Sequence, residues 1–116
     1  MRVAGQIALF RFPQVDLLQS KLRPALLLGE LPGPYGDWLI CMVSSQLHQA
    51  IEGFDEIIAQ DDADYGASGL KSASVIRIGR LAVIEGTALL GAIGTISQSR
   101  LQRVRQHLAD WLTQES

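Results

Sequence analysis

The sequence predicts a mainly β fold, a small, curled antiparallel barrel with one helix at its C-terminal end. Three observations favour this fold. Five or more short apolar runs, bounded by Gly, Pro or polar residues, are typical of strands. After residue 96 the apolar pattern changes to the period of an amphipathic helix. A length of 116 residues suits one domain with one core, so we assign residues 1–116 to a single domain.

The first half of the chain is expected to form a strand and then a hairpin. Residues 6–12 alternate around apolar positions and stop at a proline, and a polar loop is predicted over residues 14–21. Residues 24–28 and 38–43 are continuously apolar, which indicates strands that are buried on both faces. The segment 31–37 between them is rich in Pro and Gly, so an antiparallel hairpin with a long connection is the simplest topology.

The second half contains further strands and the helix. Residues 54–59 fit a strand or a helix, whereas the β-branched residues 74–78 indicate a strand that residues 81–84 extend or follow with a new one. Ser97 or Ser99 is expected to cap the helix. The apolar stripe of that helix contains Leu101, Val104, Leu108, Trp111 and Leu112. Three arginines, Arg100, Arg103 and Arg105, fall largely off this stripe.

Charge is distributed unevenly along the chain, whose net charge is -2. Residues 1–24 and residues 65–116 each carry a net +3, whereas residues 25–64 contain eight acidic residues and no Lys or Arg. Basic ends that converge in space would bind an anion in spite of the acidic total. The alternative is an acidic loop in solvent between two ordinary surfaces.

Cellular location and cysteine chemistry follow from simpler features. No apolar stretch approaches the roughly 20 residues of a membrane span, and the first residues lack the features of a secretory signal. We therefore expect a cytoplasmic protein with no membrane partner. The one cysteine, Cys41, lies inside an apolar run, which favours a buried structural thiol over a reactive one.

A cationic pair precedes the first of the two buried strands, and a hydroxyl pair ends the second. Lys21 and Arg23 stand immediately before an apolar run, and Ser44 and Ser45 follow the next one. Guanidinium, ammonium and hydroxyl groups all suit a phosphate ligand. These two positions therefore indicate contact with a nucleic acid backbone.

The motifs of this chain, in their order, resemble those of the MazF/PemK toxin family over almost the whole length. They are Gly5-x-Ile7, Phe12-Pro13, Asp16-Leu17, Ser20-Lys21-x-Arg23-Pro24-Ala25-Leu26, Val43-Ser44-Ser45-Gln46, Gly69-Leu70-Lys71, Ser74-Val75-Ile76-Arg77 and Ile93-Gly94. The resemblance implies an SH3-like antiparallel barrel of the PemK/MazF/CcdB type with a C-terminal amphipathic helix, usually as a homodimer. It also implies the growth-inhibiting toxin of a type II toxin-antitoxin system, paired with a cognate antitoxin with which it forms a DNA-binding complex.

The activity that the resemblance implies is sequence-specific, metal-independent cleavage of single-stranded RNA, with no cofactor and no metal site. By the family pattern Arg23 and Ser44 are the catalytic residues. An arginine stabilises charge on the phosphate oxygens better than it acts as a general base, because its pKa is above about 12. The residues expected to bind RNA around this pair are Lys21, Ser45, Gln46, Lys71 and Arg77.

Some residues depart from the family pattern or lie outside it. Gln6 stands where an aspartate is usual, Ser44 replaces the more frequent threonine, and the acidic middle would repel RNA if it lay beside the groove. His48 follows Ser44 by four residues and suits acid-base chemistry, but the family pattern does not support such a role. His107 fits a surface or interface position. The alternative function is a non-catalytic toxin-like interaction module, either an inhibitor of a protein target or a silenced toxin.

Overall fold

The computed structural model describes residues 2–13 and 20–115, with side chains described for residues 2–11 and 22–115. Most of the loop predicted over residues 14–21 lies outside these residues. The strands are β1 (Gln6–Pro13), β2 (Ser20–Glu30), β3 (Asp37–Ser44), β4 (Glu56–Ile58), β5 (Ser74–Glu85) and β6 (Leu89–Thr95). The helices are α1 (Tyr65–Ser68), α2 (Gln98–Thr113) and two 3-10 helices, Leu47–Gln49 and Gly86–Ala88.

The strands form one antiparallel sheet in the order β4-β5-β3-β2-β1-β6. The hairpin of β2 and β3 is confirmed, with Leu27 opposite Ile40. The predicted antiparallel fold with a C-terminal helix is confirmed as well. Its closure is looser than a barrel implies, since β4 and β6 are the two edges and do not pair within the described part of the chain.

The short helix α1 packs against the edge strand β6. A Cβ at Gly94 of β6 would collide with the backbone of Ala67 and Ser68, and a Cβ at Gly69 would collide with the backbone of Ile93. Gly69 also has φ +73°, a conformation that glycine adopts at little cost. Because these two positions have no side chain, α1 packs closely against β6. The same contact fixes the position of Gly69, where the segment after α1 begins.

The core lies on both faces of the sheet. One cluster packs between the sheet and α2 and contains Ile7, Leu26, Leu28, Cys41, Val43, Ile58, Ile76, Ile78, Ile96, Leu101, Val104 and Leu108. The other covers the opposite face and contains Ala8, Phe10, Ala25, Leu27, Trp38, Ile40 and Leu89. Strands β2 and β3 contribute to both clusters, so the prediction that these two runs are buried on both faces is confirmed.

Helix α2 begins as predicted but departs from the predicted stripe at its end. The hydroxyl oxygen of Ser97 accepts a hydrogen bond from the N–H of Arg100 at 3.2 Å, which caps the helix. Trp111 and Leu112 continue the predicted stripe but are 59% and 64% exposed, so the stripe is buried only as far as Leu108. Arg100 was expected off the buried face and is only 6% exposed. No described helix is long and apolar enough to span a membrane.

The remaining elements resolve what the sequence left open. Residues 54–59 contain the three-residue strand β4, which extends the sheet beside β5. Residues 74–84 form one continuous strand rather than two. The strand β6 was not predicted, because Gly91 and Gly94 interrupt its apolar pattern.

Candidate active site

Arg23 and Ser44 lie at the junction of two adjoining cavities. Arg23 projects from β2 and is exposed, and Ser44 is the half-buried last residue of β3. Both side chains line a cavity of about 470 Å³ and a second cavity of about 420 Å³. The structure therefore brings the two predicted catalytic residues to one concave surface.

The first cavity, which we call the leucine cavity, combines an apolar wall with polar groups. Its apolar lining consists of Leu9, Leu22, Pro24, Val43, Leu70 and Ile93, and its other lining residues are Arg23, Ser44, Ser45, Gln46, Gly69, Lys71, Ser72 and Ser74. Three of the residues predicted to bind RNA, Ser45, Gln46 and Lys71, are among them. A volume of about 470 Å³ lies within the range of small-molecule pockets.

The second cavity, which we call the arginine cavity, is lined by Arg23, Met42, Val43, Ser44, Gln46, Gln49, Arg77 and Arg80. It includes Arg77, another residue predicted to bind RNA, and none of its lining residues in the described part of the chain is acidic. Basic residues from both ends of the sequence thus converge here. The sequence reasoning missed Gln49 and Arg80, for which neither periodicity nor motif gave a signal.

The donors of Arg23 and Ser44 are available to a ligand. The hydroxyl oxygen of Ser44 accepts a hydrogen bond from the backbone N–H of Gln46 at 3.1 Å, which fixes the side chain and leaves the hydroxyl proton to be donated. The guanidinium of Arg23 makes no hydrogen bond or ion pair within the described residues. A planar guanidinium with unused donors suits bidentate contact with a phosphate.

A buried ion-pair cluster fixes the segment that leads into the leucine cavity. Arg100 donates through Nε to Asp64 at 2.8 Å and through its other nitrogens to Glu56 and Asp62, each at 3.1 Å. It also donates to the carbonyl oxygen of Ile57 at 3.0 Å. One side chain thus joins α2 to β4 and to the loop before α1, and α1 runs directly into Gly69, which lines the leucine cavity.

This cluster corrects the interpretation of the acidic middle as a loop in solvent. Asp64 is buried, and its hydrogen bond with Arg100, together with the backbone N–H of Ser97, lowers its carboxyl pKa to about 2 despite burial. Burial alone would lower the pKa of Arg100, but the carboxylates of Asp64, Glu56 and Asp62 raise it above its ordinary value. Three of the eight acidic residues of the middle segment are thus paired with Arg100 instead of lying free in a solvated loop.

The other candidate residues lie apart from the junction. His48 is exposed in the 3-10 helix Leu47–Gln49 and lines neither cavity, and Nδ1 of His107 lies 2.7 Å from the carbonyl oxygen of Phe54. Cys41 is fully buried, and burial raises the pKa of its thiol, with Asp55 adding to the effect. The backbone of Lys21 pairs with Phe12 in the sheet, but its side chain lies outside the described residues.

Comparisons with known proteins bear on this fold. An endoribonuclease in complex with its cognate antitoxin, from a mycobacterial species, superimposes with a TM-score of 0.68 at 10% identity, over 100% of this chain and 99% of that chain. The Mycobacterium tuberculosis toxin MazF-mt6 superimposes with a TM-score of 0.66 at 15% identity, over 96% of this chain and 99% of that chain. A search of curated proteins gives no significant match.

The sequence itself matches a family. The family described as PemK-like, MazF-like toxin of type II toxin-antitoxin system matches residues 4–112, which span every strand and almost all of α2. This range also contains both cavities and the residues at their junction. The chain therefore belongs to the PemK-like, MazF-like toxins of type II toxin-antitoxin systems.

Proposed function

We propose that this toxin is a sequence-specific, metal-independent endoribonuclease that cleaves single-stranded RNA, with Arg23 and Ser44 acting on the scissile phosphate. The observation that carries the proposal is the meeting of these two side chains, both with donors available, at the junction of two cavities. Two concave chambers beside one phosphate-binding pair suit a strand that continues in both directions.

The reaction follows from the chemistry of RNA. The 2′-hydroxyl oxygen attacks the adjacent phosphorus and gives up its proton to water, while the bond from phosphorus to the leaving 5′-oxygen breaks and that oxygen takes a proton from water. The products are a 2′,3′-cyclic phosphate and a 5′-hydroxyl. Arg23 holds the non-bridging oxygens as negative charge builds on them. Ser44 donates a hydrogen bond from its hydroxyl to one of these oxygens. Arg23 does not act as a base, because a guanidinium stays protonated at neutral pH.

The leucine cavity suits a nucleobase next to the scissile bond. Leu22, Leu70 and Ile93 offer an apolar surface for the face of a base, while Ser72 offers its hydroxyl to the edge of the base. Lys71 adds a positive charge at the same wall. Base recognition in this chamber would give the enzyme its sequence preference.

The partners follow from the family and from one relative. The toxins of this family act in toxin-antitoxin pairs, and one structure of the same fold is a complex with a cognate antitoxin. We infer that this chain also binds a cognate antitoxin and that it forms a homodimer. Exposed apolar side chains such as Leu81, Val83 and Leu90 are available to an interface.

A test uses purified protein freed of antitoxin, mixed with varied single-stranded RNAs in excess EDTA. We expect cleavage at a small set of sequences, with cyclic phosphate and 5′-hydroxyl ends. A single 2′-deoxy nucleotide on the 5′ side of the cut should abolish cleavage there, because the attacking oxygen is missing. If correctly folded protein leaves all these RNAs intact, the proposal fails and the non-catalytic interaction module becomes the better account.

A further inference from the structure

The arginine cavity concentrates positive charge next to the catalytic pair. Of the eight lining residues that the structure describes, three are arginines, none is acidic, and Gln46 and Gln49 add neutral amides. Arg23 belongs to both cavities, whereas Arg77 and Arg80 belong to this one alone. Like charges gathered in one cavity, with no acidic residue among its described lining, are unfavourable in a protein on its own, so the cluster indicates an anionic ligand.

The side chain of Arg77 is only partly satisfied within the protein. Its Nη1 donates to the side-chain oxygen of Gln49 at 3.4 Å, near the limit for a hydrogen bond. Its Nε is buried without a partner, and no other buried side-chain nitrogen or oxygen in the described residues lacks one. A buried donor without an acceptor is costly, so an anionic oxygen that engaged this guanidinium would be bound favourably.

A bulge in β5 brings Arg80 to the same cavity. Met42 of β3 pairs with Arg77, but the preceding Cys41 pairs with Leu81, so residues 78–80 lie outside the ladder. In a regular strand residues 77 and 80 would point to opposite faces, because side chains alternate. The bulge redirects the chain so that both arginines line one cavity.

Asp55 stabilises this bulge. Its Oδ1 accepts the N–H of Ile78 at 3.0 Å, a group that has no partner in the ladder. Its Oδ2 accepts the N–H of Ile51 at 2.9 Å, which ties the carboxylate to the preceding loop. The position of Arg80 is therefore set by specific hydrogen bonds.

We propose that the arginine cavity binds a backbone phosphate of the RNA next to the scissile phosphate, through Arg77 and Arg80. This inference rests on the proposed function, since it places the scissile phosphate at Arg23 and Ser44. A strand whose scissile phosphate lies at Arg23 and Ser44 brings its next backbone phosphate to the adjoining arginine cavity, because these two residues line both cavities. This continuity with the cleavage site favours RNA over an acidic peptide. The strand runs with a base in the leucine cavity and a phosphate in the arginine cavity.

The test measures binding of a random-sequence 2′-O-methyl RNA ten nucleotides long, which cannot be cleaved because its 2′-oxygens are blocked. Fluorescence anisotropy gives the affinity over a range of salt concentrations for wild type, Arg80→Ala and Arg77→Gln. Loss of one phosphate contact should weaken binding about tenfold and reduce the salt slope by about 0.7. Arg103→Ala is the matched control. Arg103 is an exposed arginine paired with Glu56 away from the cavity, so this variant should match wild type.

The outcomes separate this inference from the proposed function. An unchanged salt slope in both Arg80→Ala and Arg77→Gln overturns the phosphate site, even if wild type cleaves RNA. Weaker binding of a glutamate-rich peptide with unchanged RNA binding overturns it too, in favour of an acidic protein segment. Wild type that cleaves no RNA refutes the proposed function instead, and the salt slopes still report whether the cavity binds a backbone phosphate.

Discussion

At the scale of single residues, the proposed cleavage of RNA depends on the hydrogen bonds that Ser44 and Arg23 can donate. Ser44 is fixed by the N–H of Gln46, which occupies one lone pair of its oxygen and leaves the proton for a ligand. The motif departs from the usual family pattern by one methyl group, since serine stands where threonine is more frequent. The hydroxyl is the part that the chemistry requires.

Replacing Ser44 therefore separates the hydroxyl from the methyl. We expect Ser44→Thr to cleave RNA within a few-fold of the wild-type rate, because the hydroxyl remains and a β-branched residue suits the end of a strand. Ser44→Ala should lose roughly 100-fold, the typical cost of removing one donor to developing charge. Single-turnover rates on one RNA measure both. Equal losses in the two variants would contradict a role for the hydroxyl.

At the scale of elements, the Arg100 cluster holds together parts that the sheet does not. It joins α2 to β4 and to the loop before α1, and the two edge strands β4 and β6 do not pair in the described chain. Removing one partner of a buried ion pair costs about 3–5 kcal/mol, because the other charges stay buried. The cluster is therefore a structural support for the segment that lines the leucine cavity.

Arg100→Met tests this support. The free energy of unfolding should fall by about 3–5 kcal/mol in a denaturant titration, since Asp64 and Glu56 keep their charges without the buried arginine. Arg103→Ala is the matched control, because Arg103 is half exposed and its one ion pair in the described part of the chain is with Glu56. It should cost about 1 kcal/mol or less. If the free energy of unfolding falls by similar amounts in the two variants, the burial of the Arg100 ion pairs does not add to stability.

The same cluster gives the protein a defined response to acid. The carboxyl pKa of Asp64 is about 2 in the folded protein against an ordinary 3.8, so its contribution is present above pH 4 and is lost as the pH falls through 2. One pKa unit corresponds to about 1.4 kcal/mol, so roughly 2 kcal/mol should be lost between pH 5 and pH 2. Urea titrations of wild type and Asp64→Asn measure it. Between pH 5 and pH 2 the free energy of unfolding of wild type should fall by that amount more than that of Asp64→Asn. Equal falls in the two proteins would contradict the lowered pKa of Asp64.

At the scale of the whole molecule, the sequence predicted the parts that local patterns determine. Continuous apolar runs identified β2 and β3, and the change of period with Ser97 identified α2. The burial of Arg100 was not predictable, because it depends on carboxylates 36 to 44 residues away that only the fold brings near. Strand β6 was missed because two glycines break its apolar pattern, and close packing against α1 requires one of them, Gly94.

The candidate site also contains residues that motifs predicted and residues that only the fold brings in. Motifs identified Arg23, Ser44 and most of the lining of the leucine cavity. Arg80 was missed, because regular alternation places it on the face opposite Arg77 and only the bulge reverses that. The net charge also gave no indication of where the acidic and basic side chains lie. Acidic residues such as Asp64 turn inward, while arginines from both ends of the chain meet at one surface.

The central claim is that Arg23 and Ser44 together act on the scissile phosphate of RNA. The most direct measurement is the single-turnover cleavage rate of Arg23→Ala and Ser44→Ala, with Arg103→Ala as the control for loss of a surface charge. We expect both site variants to fold normally by circular dichroism and to lose roughly 100-fold or more in rate, with the control unchanged. Folded Arg23→Ala and Ser44→Ala proteins that both cleave within twofold of wild type would contradict the claim.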